Sequence, residues 1–460
     1  MSRPLLTFWN LHRVSILLLL LSMVFYAVFA YDLQRPDSIK LIALYGALFF
    51  LCYKLIQFEK WNLRFMVVIG LLLRVVFLLA LPNLSQDFYR FIWDGRLLLE
   101  GLNPFELTPD AWMERGGPPI EGAESLHQGM GPLSARNTSN YPPVNQYFFA
   151  LAALLGGKSL LGTVISMRVV IILVDLGILY FGRRLLRKIN RAPHMIFWYF
   201  LNPLVIIELT GNLHFEGVML FFFLLALFLI FSEKQLLASL PYALSIGVKL
   251  IPLLFLPLVL PLLGWRKGLA FFSGTALLLA LSIYPVWFPE FPAQYFETLK
   301  LWFSNFEFNA SLYNLAEWLA KSQGAKPWEF IVRYGKVTPY VTALLTLAVS
   351  LHPALKKPKF WFSGALLVCC AYYFLATVVH PWYLIFPLLL SIFTDFRFVI
   401  LWSATAVLSY TAYAVPQVEE RPMILLLEYA AVFGLMAYEI LRNRKNLLPA
   451  AKNLRQNPPD

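Results

Sequence analysis

The sequence predicts an all-α polytopic membrane protein of about 13 to 14 transmembrane helices, with a large outer-face loop carrying interfacial helices. Composition is the first reason: mean hydropathy is +0.65, and 59% hydrophobic against 14% charged residues lies outside the soluble globular range. The second is that apolar runs, each about long enough to cross a hydrocarbon core of roughly 30 Å, recur along nearly the whole chain and leave no room for a large soluble domain. The third is charge placement. Basic residues concentrate in short loops such as Arg183-Arg184-Leu185-Leu186-Arg187-Lys188, Lys356-Lys357-Pro358-Lys359 and Arg442-Asn443-Arg444-Lys445, the distribution of cytoplasmic loops. The formal charge of +12 is therefore an orientation signal, and nucleic-acid binding is not expected.

Requiring basic loops to share one side while the spans alternate gives spans near 14–31, 39–55, 65–82, 162–182, 195–209, 215–232, 236–248, 250–263, 268–286, 332–351, 360–378, 382–394, 397–414 and 422–441. Both termini are then cytoplasmic. The first run follows Arg3 and Arg13 like a signal sequence, but no A-x-A-like site ends it, so it reads as the first membrane helix. Val144 to Leu155, between Pro142-Pro143 and Gly156-Gly157, reads as an interfacial or half-inserted helix. The run from Leu236 to Leu263 is broken by Pro241, Gly247, Pro252, Pro257 and Pro261 and reads as two short helices meeting near Lys249 on the outer side. Cys52, Cys369 and Cys370 lie in apolar surroundings and read as buried small hydrophobes.

The whole chain, 1–460, reads as a single transmembrane domain with a cytoplasmic tail at 442–460 and outer loops at 82–141 and 285–330. The first loop opens with Asp87 to Leu99, compatible with an amphipathic interfacial helix, and continues through glycine- and proline-rich segments. The second is aromatic, with Trp287, Phe288, Phe291, Tyr295, Trp302, Phe303, Phe306 and Phe308, residues that favour the headgroup level. Asn83, Asn137 and Asn309 begin glycosylation-type tripeptides on this side.

The outer turns gather polar groups: Asp87, Arg90, Asp94 and Arg96, then Asn212, His214 and Glu216, then Lys249, then His380 with Trp382 and Tyr383. A site on that face is expected, because charge beside lipid is costly and persists mainly for function. Asp87 directly follows a span, where burial can raise a carboxyl pKa as a general base requires. Arg90 and Asp94 are spaced to pair one helical turn apart, and both also stand as candidate donor contacts. Lys249 interrupts an apolar run with no basic neighbour and reads as a cavity cation for a phosphate. Arg74, inside the third span, reads as the partner of Asp175 in the fourth. His214 and Glu216 sit in a polar hinge between apolar helices, either functional or structurally satisfied. His380 and Tyr383 lie where aromatic rings can stack on a sugar or mark the interface. No metal-ligand spacing, P-loop, nucleotide fingerprint or Gly-x-Ser-x-Gly is present.

The stretch Ser85-Gln86-Asp87-Phe88-Tyr89-Arg90-Phe91-Ile92-Trp93-Asp94-Gly95-Arg96, with Gly101-Leu102-Asn103-Pro104-Phe105 and Tyr141-Pro142-Pro143, resembles the first outer loop of bacterial GT-C glycosyltransferases related to the GPI mannosyltransferases. Asn202-Pro203, Gly211-Asn212-Leu213-His214, Lys249-Leu250-Ile251-Pro252 and His380-Pro381-Trp382-Tyr383 continue the likeness in order. The resemblance implies a GT-C-like fold, a polyprenyl-phosphate mannose donor and inverting transfer on the outer side, with Asp87 as the base. Cations neutralise the departing phosphate, and Lys249 and Arg96 are the first candidates, with His380 behind them. Many relatives carry a second acid beside this Asp, but Gln86 stands here, so a paired-acid divalent-cation site is not expected unless Asp94 or Glu216 completes one.

The sequence thus reads as a membrane hexosyltransferase, taking mannose or another hexose from a polyprenyl-phosphate donor to a glycan or glycolipid hydroxyl, in a bacterial inner membrane with the site facing outward. Besides donor and acceptor it touches membrane lipids. The rival readings are a lipid-linked glycan transporter or flippase, which also has broken helices, and a ligase or polymerase using a lipid-pyrophosphate donor.

Overall fold

A computed structural model describes residues 3–304, 306–415 and 417–443, and among them the backbone is helix and loop with no strand. The tail expected at 442–460 lies outside the described residues from 444 onward. Helices α1 (Arg3–Tyr31) and α2 (Ser38–Glu59) pack together, joined by a short turn that carries Arg35, and α3 (Leu63–Val75) follows. Among the described residues six helices are long and apolar enough to cross a membrane: Trp9–Tyr31, Ser38–Glu59, Leu160–Lys188, Ile251–Val286, Pro358–Leu375 and Pro422–Arg442, with the bent pair Pro203–Gly211 and Glu216–Ile230 a seventh if counted as one span. The expected runs at 236–248, 382–394 and 397–414 are also apolar helices, but shorter ones.

The segment 82–141, expected to be the first outer loop, is helical. It contains α4 (Asp87–Leu99), α5 (Pro109–Glu114) and α6 (Ala123–Ala135), after which Pro142-Pro143 starts α7 (Pro143–Gly156). α4 packs against α6 and α7, and α7 packs against α8 (Leu160–Lys188), so the loop is a built layer rather than a tether. Gly95 is the contact point between α4 and α7: a Cβ there would stand 2.4 Å from the Phe149 carbonyl oxygen. Arg90 ties the layer together, donating from Nε to Asp94 Oδ1 at 2.6 Å and from Nη1 to the Ser134 and Asn137 carbonyls at 2.9 Å. Asp94 Oδ2 in turn accepts from Ser139 and Gln146.

The next span is broken. Short helices α9 (Phe197–Phe200) and α10 (Pro203–Val205) run into a π-helical turn, Ile206–Gly211, and the chain then bends by 114° into α11 (Glu216–Ile230). Leu213 sits at the bend with φ +63° while fully buried, a left-handed conformation that costs a branched residue about 1–2 kcal/mol. Such bends survive where the surroundings over-determine them.

Beyond it α12 (Gln235–Val248) stops because Lys249 is extended (φ −154°, ψ 139°) and Pro252 follows closely. α13 (Leu256–Ile283) then runs on, kinked at Gly264 (φ 69°). α14 (Phe291–Ser304) and α15 (Leu312–Ser322) make up most of the segment expected to be the second outer loop, followed by α16 (Pro327–Ser350) and α17 (Pro358–Leu375). Phe308 anchors that loop by pairing in parallel with Val378: its N–H donates to the Thr377 carbonyl, and Val379 N–H donates back to the Phe308 carbonyl. Asn309 beside it is fully buried and linked to Glu428 and Tyr429, which removes it as a glycosylation acceptor in the folded chain. α18 (Ile385–Ser391), α19 (Phe398–Thr405) and α20 (Pro422–Arg442) complete the bundle.

Within the bundle Arg74 and Asp175 form the ion pair expected from sequence, at 2.9 Å and wholly buried. The remaining guanidinium donors go to the Gly70 and Phe200 carbonyls, so the charge is both paired and hydrogen-bonded. Cys52, Cys369 and Cys370 are buried free thiols.

Candidate active site

Asp87 is the first residue of α4, where the helix N-terminus favours a negative charge. The segment before it is fixed at several points. Asn83 Nδ2 donates to the Phe29 and Leu33 carbonyls, Leu84 N–H donates to Asn212 Oδ1, and Gln86 Nε2 donates to the Met130 carbonyl. Asp87 is therefore held between the end of α1, the bend before α11 and the first-loop layer.

Its carboxyl is only partly accessible, and burial pushes its pKa above the usual carboxylate range. Lys249 and a hydrogen bond from the Tyr141 hydroxyl pull it partly back, as does Arg35, while Glu216 adds to the rise. Burial also raises the Tyr141 phenol, with Asp87 adding to it, so that this hydroxyl stays a donor at neutral pH. Residues from four separate segments thus converge on one carboxylate.

Lys249 Nζ donates to Glu216 Oε1, and the same ammonium lies 5.3 Å over the Tyr383 ring. The break after α12 and the bend before α11 bring the two together. The Glu216 side chain is buried, whereas Lys249 keeps some exposure and can reach a ligand.

His214, Trp382 and His380 form a three-ring stack, with centroids 3.8 Å and 4.4 Å from the central indole. Both faces of Trp382 are therefore covered, which corrects the expectation that this ring offers a sugar platform. His380 is pushed down to about 3 by burial, then by Lys249 and Arg35. Those influences disfavour the charged form and with it the phosphate-cation role expected of His380; an uncharged imidazole offers hydrogen bonding.

Arg96 is placed away from this cluster. Its Nη1 donates to the Glu121 carbonyl and its Nη2 to the Lys158 carbonyl at 2.9 Å, bracing the far end of α4 against the loop and the start of α8. Arg90 and Asp94 link the first-loop layer and are likewise engaged in scaffold, not gathered at Asp87. The phosphate role expected of Arg96 therefore has no geometric basis, because α4 carries its side chain about two turns along from Asp87.

Three groups at the site escape a reading of the sequence. Glu208 accepts from Tyr410 at 2.8 Å and from Asn212 at 3.1 Å and supports the bend from beneath. Tyr413 carries the Arg35 guanidinium 3.4 Å over its ring. Arg35 itself had one available signal: it is a basic residue in a turn on the side where the charge rule expects few. Among the described residues no three His, Cys, Asp or Glu side chains converge on a common point. Asp94 is engaged by Arg90, Ser139 and Gln146, whereas Glu216 gives Oε1 to Lys249 and keeps Oε2 buried without a partner.

Residues 33–264, half of the chain, match the family described as alpha-(1->6)-mannopyranosyltransferase, N-terminal domain. The chain belongs to the MptA_B family. It is also similar to alpha-(1->6)-mannopyranosyltransferase B of Corynebacterium glutamicum, 27% identical over 151 residues, which is 33% of this chain. That stretch spans about a quarter, 24%, of the relative's length. The MptA_B match takes in Arg35, Asp87, Tyr141, Glu216 and Lys249 and ends before His380, Tyr383 and Tyr413. This member of the MptA_B family therefore completes its cluster with side chains from outside the matched region.

Proposed function

We propose that this MptA_B family member is an inverting membrane mannosyltransferase that moves mannose from a polyprenyl-phosphate donor to an acceptor hydroxyl on the outer face, in the α-(1→6) sense its family description carries. The observation that supports the reading is a partly accessible carboxylate, Asp87, with a raised pKa and within electrostatic range of the Lys249 and Glu216 pair. Inversion needs one base. The acceptor oxygen bonds to the sugar C1, the C1–O bond to phosphate breaks with its electron pair staying on the phosphate, and the hydroxyl proton goes to Asp87. A β-linked donor then gives an α-linked product. A raised pKa makes the Asp87 carboxylate a better acceptor for that proton.

The outer-face placement is supported by the basic loops at the opposite end of the helices. The acceptor is a glycan or glycolipid, consistent with a site that opens beside the interfacial layer of α4 to α7. The direct test is sugar transfer by purified protein from synthetic polyprenyl-phosphate mannose, set against nucleotide-sugar and lipid-pyrophosphate donors. Full transfer by Asp87→Asn removes the proposed base, and movement of the lipid across proteoliposomes without bond formation supports the transporter instead.

A further inference from the structure

We propose that Arg35, in the turn between α1 and α2, binds the phosphate of the lipid carrier, and that Tyr413 holds it ready to do so. The inference rests on the transferase reading above and names the group that receives the leaving phosphate.

Four cations were weighed for this role by geometry. Arg96 is engaged by backbone carbonyls, Arg90 by Asp94 and by carbonyls, and Lys249 by Glu216. Arg35 shares with Arg90 and Arg96 a buried guanidinium nitrogen that has no hydrogen-bond partner, but it is held by an aromatic face where those two are held by backbone carbonyls. Among the described residues no carboxylate lies within ion-pair distance of it, although Asp87, Glu208 and Glu420 are in the same region. Its Nε is buried without a hydrogen-bond partner, and its guanidinium is stacked on the Tyr413 ring at 3.4 Å. A buried donor on a charged group is costly to leave unmade, so a site that keeps one is short of an anion.

Ring contacts link this cation to the cluster: Tyr413, which carries Arg35, lies 5.6 Å from the Phe308 ring, and Phe308 lies 4.8 Å from the His380 ring. Arg35 acts on Asp87 and on His380, so it lies within range of the proposed base and of the neutral imidazole. Stacking on an aromatic face leaves the planar edge of a guanidinium free, and that edge matches two oxygens of a phosphate. The Tyr413 face also fixes the long side chain, so less rotamer freedom is lost when an anion arrives.

The chemistry gives the cation a differential role. The donor is a phosphodiester with a single negative charge. When the C1–O bond breaks, the electron pair moves onto the phosphate, and the released polyprenyl phosphate carries up to two. A fixed guanidinium stabilises the second state more than the first, which lowers the barrier and not merely the binding energy.

The experiment compares wild type with Arg35→Gln, Arg35→Lys and Tyr413→Leu in purified full-length protein, reading transfer kinetics and inhibition by polyprenyl phosphate and by uncharged polyprenol. Arg35→Gln is expected to lower kcat about a hundredfold and to weaken inhibition by polyprenyl phosphate while leaving inhibition by polyprenol unchanged. Arg35→Lys is expected to recover part of both, and Tyr413→Leu to weaken phosphate inhibition to a lesser degree. A merely structural Arg35 would move the two inhibitors together or neither. Equal polyprenyl-phosphate inhibition in Arg35→Gln and wild type overturns the proposal. Wild type that neither transfers from the phosphate donor nor binds polyprenyl phosphate overturns the underlying transferase reading instead.

Discussion

The Lys249 ammonium is hydrogen-bonded to the Glu216 carboxylate, joining the end of α12 to the first residue of α11. Both groups act on Asp87 with opposite sign: Lys249 lowers its pKa and Glu216 raises it. The pair is thus a balanced charge beside the proposed base, and removing either half unbalances it in a definite direction.

Asp87 must be ionised to accept a proton, so activity falls as pH drops through its pKa. Lys249→Ala removes a lowering influence, and the acid limb of the kcat/KM profile is expected to move to higher pH. Glu216→Gln removes a raising one, and the limb is expected to move to lower pH. A pH series on the three proteins checks this; shifts in the same direction would contradict the arrangement.

His380 has a different expectation. Its pKa is pushed down to about 3, so it carries no charge change between pH 5 and 8. His380→Gln is therefore expected to keep the shape of the profile in that range even if its height falls. A lost limb between pH 5 and 8 would show that the imidazole titrates.

Arg96 braces the first-loop layer and does not reach Asp87. Arg96→Met leaves two backbone carbonyls without their donor, and each unmade buried bond costs about 1–3 kcal/mol. Thermal unfolding is expected to come earlier, while the donor KM of the folded fraction stays within about twofold of wild type, far below the factor of 10 that about 1.4 kcal/mol gives. A large rise in donor KM with normal stability would restore Arg96 to the phosphate.

The Arg74–Asp175 pair tests the bundle itself. Asp175→Ala strands a buried guanidinium and is expected to cost about 3–5 kcal/mol, whereas replacing both partners with apolar residues of similar volume should recover most of it. Unfolding measured in detergent on the single and double variants distinguishes these outcomes. Equal loss in both would mean that packing, not charge, carries the contribution.

Several pieces of this arrangement are legible in sequence because they are local. The Arg90 and Asp94 pairing follows from helical spacing, the break at Lys249 from the prolines around it, and the bounds of α7 from Pro142-Pro143 and Gly156-Gly157. Arg74 finding Asp175 across 101 positions was legible for another reason: a charge inside a span needs a partner, and few are available there. Arg96 shows where such reasoning ends. Its residue type and nearness to Asp87 in sequence fit a phosphate ligand, yet the turn of the helix and two nearby carbonyls direct it elsewhere.

The sequence by itself determined a helical membrane protein, a polar cluster at one end of its helices and Asp87 as the leading acid, because hydropathy and charge are read residue by residue. Only the tertiary structure decided which charges neutralise one another. It set Lys249 against Glu216, covered both faces of Trp382, lowered the His380 pKa by burial and stacked Arg35 on Tyr413 with no carboxylate of the described residues in ion-pair contact. Those outcomes depend on distances between segments hundreds of residues apart, and Coulomb interactions and desolvation respond to distance and surroundings rather than to order along the chain.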